Sequence, residues 1–176
     1  MRAFACERCG RRVFFENTLC LRCSAELGFV PEQLELIVFD PDAEARLRRC
    51  ENASLAGCNW LVQRDDPNEM CFSCRLTRTR PGDGDEEGLV EFAKAEAAKR
   101  RLIFQLLDLG LPIGPDLRFD LLSSRDGPVR TGHSDGLITI DLAESDDVRR
   151  EQRRMQLREP YRTMLGHFRH EIGHYY

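Results

Sequence analysis

Apolar side chains recur at Leu89, Phe92, Ala93, Ala97, Leu102, Ile103, Leu106 and Leu107, the spacing of one face of an α-helix. Acidic residues precede this run, and Gly110 with Pro112 stops it, so one long helix is expected here, its apolar face turned to a core. Two shorter stretches, 118–122 and 137–142, read as strands separated by the turn-rich SSRDGPVRTGHSDG, and they are expected to pair as a hairpin across that long loop. The segment LITIDL alternates and is β-branched, as in a partly exposed strand. Ser145, Asp146 and Asp147 then supply a cap and an acidic first turn for a helix to about Arg158, and Pro160 suits the first turn of a last helix that runs to the end of the chain.

With 41% hydrophobic and 32% charged residues in 176, the chain can build a core without surplus, which excludes disorder throughout. No stretch approaches the ~18 consecutive apolar residues of a membrane span, and no signal-like apolar segment follows Met1, so a soluble cytoplasmic protein is expected. A net charge of −4 disfavours a generic nucleic-acid binder without excluding it. Arg149, Arg150, Arg153, Arg154 and Arg158 form a basic cluster, but Glu151 and Glu159 intersperse it and a solvated helix face is the expected reading. The cluster PGDGDEEG, residues 81–88, reads as a linker.

All eight cysteines precede that linker. Cys6, Cys9, Cys20 and Cys23 follow C-x2-C-x10-C-x2-C, a zinc-ribbon spacing in which two knuckles grip one metal while VFFEN supplies strand and turn. Cys50, Cys58, Cys71 and Cys74 are spaced less regularly, yet can close a second four-thiolate site across a loop. A disulfide framework needs an oxidising compartment, and a thioredoxin-like reading needs a βαβ context that is missing, so metal is preferred. Spacing alone does not separate zinc from iron; zinc is expected. Four thiolates leave no open position, so these sites are structural, stabilising a segment too small and too charged to fold on apolar burial alone.

Chemistry enters with His170-Glu171-Ile172-Gly173-His174, an HExxH motif. On a helix, positions i and i+4 share a face, so His170 and His174 can grip one Zn²⁺. The metal would lower the pKa of a bound water towards ~7 and polarise a scissile carbonyl, while Glu171 acts as general base and then passes the proton to the leaving amine. The competing reading is an amphipathic helix with ordinary histidines. His167, one turn earlier, could support the site from behind but is badly placed as a third ligand. Catalytic zinc usually has three protein ligands, and Tyr176 follows His174 by two residues, so Glu144, Asp146, Asp147, His133, a partner chain or a continuation of the chain would have to add one; a C-terminal truncation is the preferred account. His133, in a Gly/Ser/Asp turn, is more simply a loop hydrogen-bonding residue.

The segments FENTLCLRC, GCNWLV, CFSCRLTRT, AAKRRLIFQLLDLGLP, TGHSDGLITIDLAESDD and EPYRTMLGHFRHEIGHYY resemble the bacterial zinc-binding metallopeptidases that carry an N-terminal zinc ribbon. The resemblance implies zinc at the ribbon and at the HExxH helix, His170 and His174 as ligands, Glu171 as base, and an acidic third ligand from a later helix; the HExxH chemistry itself points to a peptide or protein substrate. The expected fold is therefore α+β: a zinc-ribbon domain over 1–80 with two four-cysteine sites, a linker over 81–88, and over 89–176 the first part of a mostly helical zincin-like domain with a short hairpin. In such sites an edge strand, here expected at 137–142, holds an extended peptide by β-augmentation. The alternative is a zinc-ribbon binding module for protein or nucleic acid whose HExxH helix is inert.

Overall fold

The computed structural model describes residues 2–42, 46–125, 127–145 and 163–176. The chain divides into two compact units, Met1–Phe72 and Ser73–Tyr176.

The first unit is built from three two-stranded antiparallel ladders: β1 (Phe4–Ala5) with β2 (Arg12–Val13), β3 (Leu27–Val30) with β4 (Glu35–Val38), and β5 (Leu47–Arg49) with β6 (Leu61–Gln63). A single turn of helix, α1 (Ala53–Ala56), lies between β5 and β6. Ladders this short bury little, and the core is correspondingly aromatic. Phe29 is fully buried, with ring centroids 4.9 Å from both Phe15 and Trp60, and Phe4 joins at 6.4 Å. Gly28 has a steric reason: a Cβ there would come within 2.6 Å of the Leu61 side chain, so only glycine lets β3 approach β6 this closely.

The chain continues through α2 (Phe72–Arg75) into the second unit. Its sheet has the order β7-β8-β10-β9, from β7 (Thr77–Thr79), β8 (Arg118–Leu122), β9 (Gly132–Ser134) and β10 (Leu137–Asp141). Two helices pack with it: α3 (Glu86–Asp108) and α4 (Met164–Tyr175), in contact with each other, and α4 also with β9 and β10. The Asp85 carboxylate caps α3 by accepting from Gly88 N, with Glu86 and Glu87 in the favourable first turn. Gly110, at φ +67°, takes the left-handed conformation that ends it.

The expected hairpin between 118–122 and 137–142 is not formed. β8 and β10 run parallel, with Phe119 opposite Ile138 and Leu121 opposite Ile140, and the hairpin partner of β10 is β9, turned through Asp135 and Gly136. The alternating segment is thus an interior strand and β9 the edge, reversing the expectation that 137–142 would be the edge. Asp135 and Gly136, both at positive φ, make the short turn that a 14-residue loop had concealed. The HExxH helix has its cap at Thr163. Thr163 is extended, at φ −119° and ψ 154°, and its hydroxyl accepts from Gly166 N, so helix begins at Met164. Ser145, the expected cap, ends a 3-10 turn over Leu142–Ser145, while residues 146–158 of the helix expected there, their arginine cluster, Asp146, Asp147 and Pro160 lie outside the described residues, as does the side chain of Glu144.

Candidate metal centres

The two knuckles of the first ribbon share one backbone plan. Cys6 N donates to Arg11 O and Gly10 N to Cys6 O; in the second knuckle Cys20 N donates to Ala25 O and Ser24 N to Cys20 O. The residue after each second cysteine must turn left-handed, at φ +70° for Gly10 and +54° for Ser24. This folding brings Cys6 Sγ to 3.6 Å from Cys23 Sγ, and Cys9 Sγ to 3.6 Å from Cys20 Sγ. Bonds of about 2.3 Å to one tetrahedral zinc would place sulfurs about 3.8 Å apart, close to the two 3.6 Å separations, and all four Sγ atoms lie within 4.8 Å of one another.

The thiols also polarise one another. Backbone N–H groups of Arg22 and Cys23 hold Cys20 as a thiolate, with a pKa lowered to about 6. The Ala25 N–H pulls Cys23 the same way, but burial and crowding by Cys9, Cys6 and Cys20 outweigh it and push Cys23 up to about 12. Four sulfurs this close do not all ionise without a cation among them, which is the chemistry of a soft divalent metal site.

Cys50, Cys58, Cys71 and Cys74 are all buried, with their Sγ atoms within 4.8 Å of one another; Cys58 and Cys71 are 3.7 Å apart. The two sets are therefore sequential along the chain. Cys71 N donates to Cys50 Sγ at 3.2 Å, stabilising negative charge on that sulfur. Neither set offers a position for a reacting group.

On α4, Met164, Phe168 and Ile172 form a buried stripe at four-residue spacing, and Phe168 packs edge-on against Phe119 of β8, ring centroids 5.7 Å apart. Arg169 ties the outer side to α3 through two hydrogen bonds to Gln105 Oε1. His170 and His174 project on the exposed face, with Nε2 atoms 3.3 Å apart. That separation serves an N–H···N hydrogen bond or two bonds to one cation, and zinc–nitrogen bonds of 2.0–2.1 Å at tetrahedral angles require about 3.4 Å. Glu171, between them in sequence, turns inward and is only 7% exposed; among the described residues its carboxylate has no hydrogen-bonding or ionic partner.

Among the described residues no third metal-binding side chain gathers with the two histidines. His133 does not: it lies in β9 with its ring edge-on to Tyr175 at 6.2 Å, and its Nε2 accepts from Gly136 N, the loop hydrogen bond expected of a turn histidine. The end of α4 is anchored by contacts the sequence pattern did not reveal. Tyr175 Oη donates to Asp116 Oδ1 and accepts from Gly114 N, both at 3.1 Å, and Tyr176 Oη donates to Pro112 O at 2.7 Å. Also unexpected is a fully buried ion pair inside α3. Lys99 Nζ stands 2.6 Å from Glu96 Oε1, which Thr77 Oγ1 also contacts at 2.5 Å, and Cys74 Sγ lies 3.7 Å from Glu96 Oε2. The helical pattern at 96 and 99 looks like surface charge, and only the tertiary fold shows it enclosed.

Two four-thiolate clusters, followed by an α+β unit whose helix presents a histidine pair beside a buried carboxylate, define a zinc-ribbon protein with a metallopeptidase-type helix. Residues 88–176 match the family described as "Putative zinc-binding metallo-peptidase", and the chain belongs to that family. Residues 3–85 match a zinc-ribbon domain. The chain is 55% identical, over its whole length, to the uncharacterized proteins Mb2598c of Mycobacterium bovis and Rv2568c of Mycobacterium tuberculosis. It spans 53% of each of those relatives. No solved structure matches it. Among the described residues no helix is long and apolar enough to cross a membrane.

Proposed function

We propose that this chain carries the ribbon domain and the metal-binding helix of a zinc-dependent peptidase, acting in the cytoplasm. The observation that supports this most is the 3.3 Å approach of His170 and His174 Nε2 on the exposed face of α4, with the buried Glu171 next in sequence to His170 and its carboxylate without a partner among the described residues. In this reading His170 and His174 are two zinc ligands, and the eight cysteines hold two further zinc ions in a purely structural role. A third ligand, the acidic side chain that the family resemblance implies, comes from outside the described residues.

Zinc at the histidine pair supplies Lewis acidity towards a carbonyl oxygen and makes water acidic enough to attack near neutral pH. Glu171 takes the proton of the attacking water on its carboxylate and returns it to the leaving amine nitrogen. Its low exposure keeps competing water away from that proton transfer. β9 lies at the sheet edge, in contact with α4, so an extended peptide would pair with it and present its backbone towards the histidines.

The test is hydrolysis of a broad quenched-fluorescence peptide library by the zinc-loaded protein, compared with Glu171→Gln. Hydrolysis lost in the variant, with zinc content unchanged, supports the assignment. A protein that holds zinc at His170 and His174 with a complete ligand set and cleaves nothing in the library contradicts it.

A further inference from the structure

We propose that the first zinc ribbon is a binding face for single-stranded nucleic acid, with Arg11 and Arg12 on phosphates and Phe14 as a base-stacking platform. The inference concerns the ribbon alone and is independent of the hydrolytic reading of α4.

Positive charge in the first unit is concentrated at its start. Residues 1–25 hold five arginines, Arg2, Arg8, Arg11, Arg12 and Arg22, against two acids, Glu7 and Glu16, whereas residues 26–72 hold ten acids against four arginines. All five arginines are exposed, and among the described residues Arg8, Arg11, Arg12 and Arg22 have no ionic or hydrogen-bonding side-chain partner. Glu7 is already engaged, accepting from Val38 N. Four thiolates around one zinc carry two negative charges in excess. Arg8 and Arg22, each the residue before the second cysteine of its knuckle, are placed to offset them. Arg11 and Arg12 remain as surplus charge.

The β1–β2 ladder sorts its side chains by face. Phe4 and Val13 pair on the buried side; Ala5 and Arg12 pair on the outer side, and Phe14 follows Arg12 at the next outward position. Phe14 is 65% exposed, although Phe15 beside it enters the aromatic core. Leu21, at the tip of the second knuckle, is 91% exposed and adds apolar surface on the same small ribbon. Exposed Arg12 and Phe14 on one side of the ladder, with exposed Arg11 next to them in sequence, offer the chemistry that binds single strands, with cations along the backbone and a flat apolar surface under an unstacked base. A duplex would use the charges but leave Phe14 without a partner, which decides for the single-stranded form.

The test is fluorescence anisotropy of a labelled oligouridylate with the full zinc-loaded chain, titrated at several salt concentrations. The proposal predicts binding whose log affinity falls linearly with log salt. Arg11→Glu/Arg12→Glu should weaken it by more than tenfold and lower the salt slope by about 1.4, at about 0.7 per phosphate contact. Phe14→Ala should weaken it about tenfold with the salt slope unchanged, a split that general stickiness would not produce. Zinc content and the thermal transition of both variants, which alter exposed side chains only, check that the ribbon is intact. No binding by the intact chain, equal binding by the variants, or tighter binding to a duplex or to a polyglutamate peptide than to the single strand would overturn the proposal.

Discussion

His170 and Glu171 are adjacent in the chain and opposite in environment: the imidazole is exposed on the outer face of α4, whereas the carboxylate is 7% exposed and turned towards the core. A helix advances about 100° per residue, which is enough to put the two side chains on different faces, as the proposed roles of ligand and proton acceptor require. Exchanging their positions would leave neither able to serve.

Glu171→Gln keeps the shape of the side chain and removes its basicity. Zinc content should be unchanged while peptide hydrolysis falls by roughly 10²–10⁴-fold, the usual contribution of a positioned general base. Rates measured on protein of verified metal content check this. Equal rates would remove Glu171 from the chemistry.

Lys99→Met should destabilise the second unit by about 3–5 kcal/mol, because it removes the nearer of the two cations at the enclosed Glu96 and leaves only Arg100, at 3.9 Å. Burial already drives the Glu96 carboxyl above its ordinary pKa, with the Cys74 sulfur adding to that and Lys99 opposing it. The double variant Glu96→Leu/Lys99→Met should recover part of the loss, since both members of the close pair are gone and only the buried Arg100 loses its contact with Glu96. Chemical denaturation of the three proteins measures both effects; a single variant as stable as the parent would show that the pair is not enclosed in solution.

Phe168→Ala should cost about 3–5 kcal/mol by opening a cavity against Phe119 at the middle of the buried stripe of α4. The stripe holds the histidine pair in place, so zinc affinity at His170 and His174 should fall with it, while the two ribbon sites keep their metal. Competition with a chromophoric chelator resolves the classes of zinc, and an unaffected weak class would show that the histidines do not depend on this packing.

Cys58→Ala should release one zinc and unfold the site it belongs to, because three buried thiolates then surround a cation with an incomplete shell. The first ribbon, with its own four cysteines, should keep its zinc. Elemental analysis with limited proteolysis distinguishes this from a general collapse, in which both ions are lost.

The features visible in the sequence are those that depend on short separations. Cys-x-x-Cys knuckles, the long helix and the i, i+4 histidines are local, and all three are present in the structure, although the helix starts at Glu86, three residues before the expected Leu89 and inside the stretch read as linker, because Asp85 caps it there. What was hidden depends on contacts distant in sequence. The parallel pairing of β8 with β10 has no local signature, and the Asp135-Gly136 turn, which makes β9 the edge, was submerged in a polar loop. Glu96 and Lys99 share the i, i+3 spacing of a solvated pair, and only the strand carrying Thr77, folded over α3, turns them into core. Tyr175 is similar: its anchorage depends on Asp116, 59 residues away.

In the proposed function the histidine pair of α4 holds a metal in addition to those of the two ribbons. Zinc per chain, measured by elemental analysis on the purified protein and on His170→Ala/His174→Ala, tests it most directly. A count near three that falls to two in the variant, with the ribbons undisturbed, is expected. A count of two in both proteins would contradict it.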